Sequence, residues 1–242
     1  MTNLKLFAAA IAAAVSLNSC FLDDDDFLSC ERGQGPTVTR VLELPSFSGI
    51  DLKISGNVVI KQGPEQFVEV EGQENIIELL KLNVNNDTWD IRFEDCVRNH
   101  EDLTIFITLP EIGYLSISGS GRIEGDELLA GNDLNLRISG SGDMDLQLDY
   151  DKVDATISGS GDIKLEGDCQ DFDLDITGSG DYHAFDLETQ TGDINITGSG
   201  NAEVFVHDNL DVRITGSGNV YYIGNPFLDI QITGSGKVKD AN

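Results

Sequence analysis

An isoleucine, then Ser or Thr, then Gly-Ser-Gly: this group returns seven times, led by Ile117, Ile138, Ile157, Ile176, Ile196, Ile214 and Ile232, with a period of 18 to 21 residues. A period that short, with no helical pattern inside it, makes each repeat one coil of a β-solenoid. A single coil cannot bury its apolar face, whereas stacked coils share one continuous core.

Within each repeat apolar residues alternate with period two on both sides of the corner. Leu134, Leu136 and Ile138, or Phe172, Leu174 and Ile176, precede it; Met144 and Leu146, or Ile163 and Leu165, follow it. The pattern predicts two strands per coil, each burying one face. Glycine supplies the left-handed backbone of a sharp corner. The expected fold class is all-β: a parallel β-helix (β-solenoid) of about seven 18–21-residue coils, its first coil covered by an N-terminal β-rich segment. At about 4.8 Å per coil the repeats stack into a rod of roughly 35 Å. The spacing leaves its handedness open.

The other end of the chain reads as a tether. Residues 1–20 carry one base, Lys5, an apolar run from Leu6 to Leu17, and then small polar residues and Cys20. The run has the length of a signal-peptide core and is too short to span a bilayer. Leu17-Asn18-Ser19-Cys20 resembles the lipobox of bacterial lipoproteins, which implies that Cys20 is lipidated and becomes the mature N-terminus. An ordinary signal peptide cleaved nearby is the alternative. The acidic run Asp23 to Asp26 resembles the signal that exports Bacteroidetes lipoproteins to the outer face of the outer membrane; otherwise it is a solvated spacer. The expected location is the outer membrane, lipid-anchored and facing the cell exterior.

Charge excludes one partner class. Lys and Arg number 15 against 43 Asp and Glu, and 15 − 43 = −28. So negative a surface repels phosphate backbones, and no nucleic-acid partner is expected. With Cys20 assigned to lipid, Cys30, Cys96 and Cys169 remain, and an oxidising envelope permits disulfides. Cys30 and Cys96 both lie in polar, non-repeat segments and are paired here. Cys169, inside the repeats, is left as a free thiol at a corner.

The chain divides into a signal peptide (1–20), an acidic flexible lead (21–36), a β-rich part (37–111) and the repeat solenoid (112–242). Strand-like runs occupy Val38–Leu44, Ile50–Ile54, Val58–Lys61, Phe67–Val70, Thr88–Phe93 and Leu103–Leu109. Asn75–Leu82 is the one plausible helical turn among them, and Asn86-Asp87 marks a tight turn. The run from Phe47 to Ile60 (Phe-Ser-Gly-Ile-Asp-Leu-Lys-Ile-Ser-Gly-Asn-Val-Val-Ile), followed by the Gly-Ser-Gly array, resembles the head GIN domain of Bacteroidetes envelope lipoproteins, an auto-transporter-adhesin family of unknown function. The resemblance spans roughly residues 38–238. It implies a β-helical fold and an adhesive role, with no catalytic residues to carry over.

One outward column invites a functional reading. Three residues before each repeat isoleucine lie Tyr114, Asn135, Asp154, Asp173, Asp193, Asp211 and Asp229. Asp143, Asp162 and Asp181, continued by Asn201 and Asn219, form a second column after the corner. Rows of carboxylates suit Ca²⁺, a cation that takes oxygen ligands. A solvated acidic face needs no metal, since charges ~4.8 Å apart in water repel by only about 1 kcal/mol. No catalytic site and no cofactor are assigned, Ca²⁺ being the sole candidate. A β-helical polysaccharide lyase or glycoside hydrolase is the enzymatic alternative, because carboxylates are plentiful. Against it, the acids recur in registered rows, and no long insertion carries Arg, Lys or His between coils. The expected function is a non-catalytic surface lipoprotein, an adhesin or scaffold, with an extracellular glycan or protein as ligand. Lys237 and Lys239 on the last coil read as guards against edge pairing, so a monomer is expected.

Overall fold

The computed structural model describes residues 30–242. Cys20, the apolar leader and the acidic run at 23–26 therefore lie outside the described residues. The repeats form a parallel stack, and equivalent residues of successive coils pair one to one. Strands β12 (Leu129–Gly140), β13 (Asp143–Gly159), β14 (Asp162–Gly178), β15 (Tyr182–Gly198) and β16 (Asn201–Gly216) follow one another in space as in sequence. β16 is followed by β17 (Asn219–Ile223) and β18 (Phe227–Gly234), and β17 by β19 (Lys237–Asp240). Ile138, Ile157, Ile176, Ile196, Ile214 and Ile232 share one register column.

The Gly-Ser-Gly corners line up as expected and are joined by their own ladder. Each corner serine donates its backbone N–H to the first corner glycine of the coil before it, at 2.8–2.9 Å from Ser141 through Ser235. At Gly178 the backbone takes φ +129°, and a Cβ would stand 2.4 Å from the Gly159 carbonyl oxygen. Only glycine meets both conditions.

The coils differ from the expected two-strand plan. From β13 to β16 each coil is one strand of 16 or 17 residues running from corner to corner. The chain bends between corners without losing its ladder, so the pairing continues around the bend. The variation in repeat length is absorbed there too. Register shifts fall between Lys164 and Glu166, between Ala184 and Glu188, and between Thr189 and Thr191, away from the glycine corner. The same bend overturns the corner position read for Cys169. Its thiol is free but buried, inside β14 and in register with Tyr150 and Thr189.

The N-terminal part adds two further layers to the stack. β3 (Gly49–Leu52) pairs in parallel with β10 (Tyr114–Ile117), and β4 (Asn57–Gln62) with β11 (Arg122–Gly125). Beyond them β7 (Thr88–Ile91) lies on β3 and β9 (Thr104–Leu109) on β4. Stacking order thus departs from chain order: the layer at 88–109 is outermost, then 49–62, then 114–125, then the repeats.

Antiparallel pairings finish this end. β5 (Phe67–Gln73) runs against β9 and against β2 (Thr37–Val41), and β6 (Val84–Asn85) turns into β7 through Asn86 and Asp87, both at positive φ. The short helix α1 (Glu74–Ile77) buries Ile76 and Ile77 over the same end. Trp89 is fully buried beneath it, its indole N–H donating to the Lys81 carbonyl at 2.9 Å. A disulfide joins Cys30 to Cys96, where β1 (Glu31–Arg32) pairs with β8 (Val97–Arg98). One apolar core runs from Phe47 through Val220, and each fully buried aliphatic side chain in it contributes about 1.5–3 kcal/mol.

Candidate functional surface

Among the described residues the outward columns present chemistry in register from coil to coil, so their geometry decides what the surface can do. Asn135, Asp154, Asp173, Asp193, Asp211 and Asp229 do stand in one column, each paired with the next. Cations are interleaved with them. The Lys152 ammonium sits 3.1 Å from Asp154 and 2.7 Å from Asp173, and Arg213 lies 3.1 Å from Asp193. The hydrogen bond from Lys152 holds the Asp173 carboxyl below its ordinary range, while Asp173 raises Lys152. Arg213 is raised chiefly by its bond to Asp193. Three layers beyond Lys152, toward the capped end, Lys53 likewise bridges two carboxylates, 2.7 Å from Asp90 and 3.2 Å from Asp51. Among the described residues, no three His, Cys, Asp or Glu side chains are grouped so as to hold a metal ion.

The second column has a structural task that its residue types alone did not reveal. Asp162 accepts the backbone N–H of Asp181 at 2.9 Å, and Asp181 accepts that of Asn201 at 2.8 Å. Asn201 accepts both the backbone and the side-chain N–H of Asn219, at 3.2 and 3.0 Å. The strand ladder is interrupted just after each corner, and these side chains bind the amide donors that the interruption leaves over. Asp143 at the head of the column is bound by Arg122 at 2.9 Å. An acceptor that already holds an amide is a poor start for a cation site.

A third column, two residues beyond the second, is also paired across coils. Lys164 lies 3.5 Å from Asp145 and 2.5 Å from Glu166, and His183 Nδ1 lies 2.9 Å from Glu203. His207 faces Glu188 at 3.5 Å, and His100 lies against its own chain neighbour, the Glu101 carbonyl. Burial pushes the Cys169 thiol up to about 12, which leaves it protonated and without nucleophilic strength. Among the described residues the Tyr182 hydroxyl is fully buried with no hydrogen-bond partner.

The concave features are shallow. The one with the most apolar lining, about 280 Å³ at the capped end, lies between Val41, Leu42, Ile77, Leu80 and Leu82 with Arg40, Glu74 and Glu78 at its rim. Arg40 and Glu74 there are ion-paired with each other. Lys152 and Lys53 were missed as organisers of the acidic face. Their signal was present, because Lys152 stands two residues before Asp154 and so points to the same side.

What the fold and its surface define is a parallel β-solenoid rod, capped at one end, with many of its outward charges paired between coils. Residues 46–226 match the family described as "Putative auto-transporter adhesin, head GIN domain", and the chain belongs to that family. No curated protein matches it. A protein named "putative adhesin" from Bacteroides fragilis NCTC 9343 has the same fold, with a TM-score of 0.82 and 26% identity over 87% of this chain and 99% of its own. A "putative lipid binding protein" from Parabacteroides distasonis ATCC 8503 superposes with a TM-score of 0.75 at 22% identity, over 88% of this chain and 99% of its own. A "putative adhesin" from Parabacteroides merdae ATCC 43184 gives 0.72 at 22%, over the same shares. The last two likenesses concern the fold alone.

Proposed function

We propose that this protein is a non-catalytic adhesin-type module of the cell envelope, anchored in the outer membrane by lipid on Cys20 and presenting its rod to the exterior. The observation that carries this reading is the pairing of outward charges across neighbouring coils. A hydrolase or lyase needs an acid and a base set apart in a substrate cleft, with protonation driven away from the ordinary. Here Asp154, Asp173 and Asp193 of one row are held by Lys or Arg, and Asp162 and Asp181 of the other by backbone amides, which suits a rigid binding surface better than proton transfer. The family description and the name of the Bacteroides protein point the same way. The disulfide at 30–96 suits an oxidising compartment outside the cytoplasm.

The ligand class proposed is an extracellular glycan or protein, bound without a cation. A glycan-array and pull-down screen with the protein purified from its membranes, with and without Ca²⁺, tests this. Saturable binding that is indifferent to chelation is expected. Reproducible turnover of any polysaccharide would overturn the reading in favour of a β-helical lyase or hydrolase.

A further inference from the structure

The two ends of the rod differ. At the 88–109 end the last layer is covered by α1, β2 and β5, and Ile91 and Ile105 beneath them are fully buried. At the other end β18 and β19 are paired, among the described residues, on one side only, to β16 and β17. Ile230 and Ile232 continue the inward columns of Val212 and Ile214, which are each 1% exposed, yet they are themselves 41% and 40% exposed, and Phe227 beside them is 76% exposed. Core-type side chains and a free strand edge therefore occupy one terminal face.

Two polar residues of the last coil, Lys239 and Asn242, fold back from that face. Lys239 donates to the Tyr221 hydroxyl at 3.0 Å and lies over the Tyr221 ring at 4.5 Å, directed at the coil behind it. Asn242 likewise folds back, donating to the Gly224 carbonyl at 2.9 Å and accepting the Gly224 N–H at 3.0 Å. Charge singles the face out as well. Residues 227–242 carry Asp229 and Asp240 against Lys237 and Lys239, so 2 − 2 = 0, on a chain whose net charge is −28. Two copies meeting elsewhere along the acidic rod would repel one another; here they would not.

We infer that this terminal face binds the same face of a second copy, end to end. The inference rests on the surface-module reading above and names its partner. A two-fold axis through the corner at Gly234–Gly236 lays β18 of one copy antiparallel on β19 of the other. In that register Asp229 stands opposite Lys239 of the second copy, Gln231 opposite Lys237 and Ile230 opposite Val238. Asp229, Gln231, Lys237 and Lys239 occupy outward columns, and Ile230 and Val238 inward ones. The pairing thus keeps both cores continuous, and the Lys239 ammonium swings from the Tyr221 ring of its own chain to meet Asp229 of the second copy. Cys30, which leads toward the tether, sits at the far end of each rod beside Cys96. The joined rods therefore carry their Cys30 ends at opposite extremes, which suits contact between two facing membranes rather than neighbours on one.

The test uses the full chain with Asp229→Cys and Lys239→Cys together under mild oxidation. A disulfide-linked species of twice the chain mass is expected, with peptide mapping that joins positions 229 and 239, and neither single variant should give it. Ile230→Asp should weaken self-association on the order of a hundredfold by light scattering, because it puts a carboxylate into the buried contact. Circular dichroism of the same sample checks that it is folded. A chain that stays monomeric at high concentration, with no 229–239 link, overturns the proposal. So does a dimer that survives Ile230→Asp without that link, since its contact lies elsewhere. Protease treatment of intact cells separates the two readings. Cleavage without the link leaves the surface module standing and removes the homotypic contact. The link without cleavage on intact cells keeps the contact and removes the surface location.

Discussion

Replacing Gly178 by alanine adds one methyl group at the middle of the corner line, and the structure allows its cost to be worked out. The backbone there has φ +129°, a region nearly closed to L-residues, which costs about 1–3 kcal/mol. The new Cβ would also stand 2.4 Å from the Gly159 carbonyl oxygen. That oxygen accepts the Ser179 N–H at 2.8 Å and the Gly180 N–H at 3.1 Å, so moving it away weakens two bonds worth about 0.5–1.5 kcal/mol each. The total is about 2–6 kcal/mol, a large share of the roughly 5–15 kcal/mol that holds a domain folded. Two controls divide the terms. Gly180→Ala meets the Gly161 carbonyl at 2.2 Å without a left-handed φ, so it isolates the collision. Gly113→Ala has neither problem, its nearest atom being the Asp133 carbonyl at 4.0 Å, and should stay within about 0.5 kcal/mol of the parent. Urea unfolding followed by circular dichroism gives all three values. If Gly178→Ala and Gly113→Ala unfold alike, the corner line does not hold the coils together as argued.

Four further outcomes follow from the buried groups and the disulfide. Cys169, with its thiol pushed up to about 12 from 9.0, should react with a thiol reagent at pH 8 about a thousandfold more slowly in the native protein than after denaturation. Because burial raises Cys169 and Tyr150 in the folded state, their contribution to stability is complete below their ordinary values of 9.0 and 10.0. It should fall as pH rises from there toward about 12, which unfolding midpoints across that window will show. Tyr182→Phe removes a buried hydroxyl that has no partner and should raise stability by about 1 kcal/mol, whereas loss of stability would reveal a bond to that hydroxyl. Reducing Cys30–Cys96, which closes a separation of 66 residues, should cost about 4 kcal/mol, seen as a lower melting temperature in reductant.

The repeat region was legible because one short motif fixes three things together: the corner, the direction of the isoleucine before it, and the register with the next coil. Ile138, Ile157 and Ile176 fall in one column for that reason. The first layers were harder to read because their corners keep only fragments of the motif, as at Ser55-Gly56. Chain order is also no guide there, since residues 88–109 stack outside 49–62. Cys169 was misplaced because alternation slips beside it at the mid-coil bend, where two outward residues, Gln170 and Asp171, separate the inward Cys169 and Phe172. The acidic rows were visible as rows, but sequence does not say what a carboxylate holds. Asp181 holds a backbone amide of the next coil and Asp173 a lysine two strand positions away from Asp154, and both follow from register and side-chain reach rather than from residue type.

The central claim is a lipid-tethered rod at the cell exterior, and protease treatment of intact cells carrying either the parent chain or Cys20→Ala tests it most directly. The account expects the parent chain to fractionate with membranes and to be cleaved on intact cells, and Cys20→Ala to leave the membrane fraction. A parent chain spared until the cells are lysed, or a Cys20→Ala chain that stays in the membrane, would contradict it.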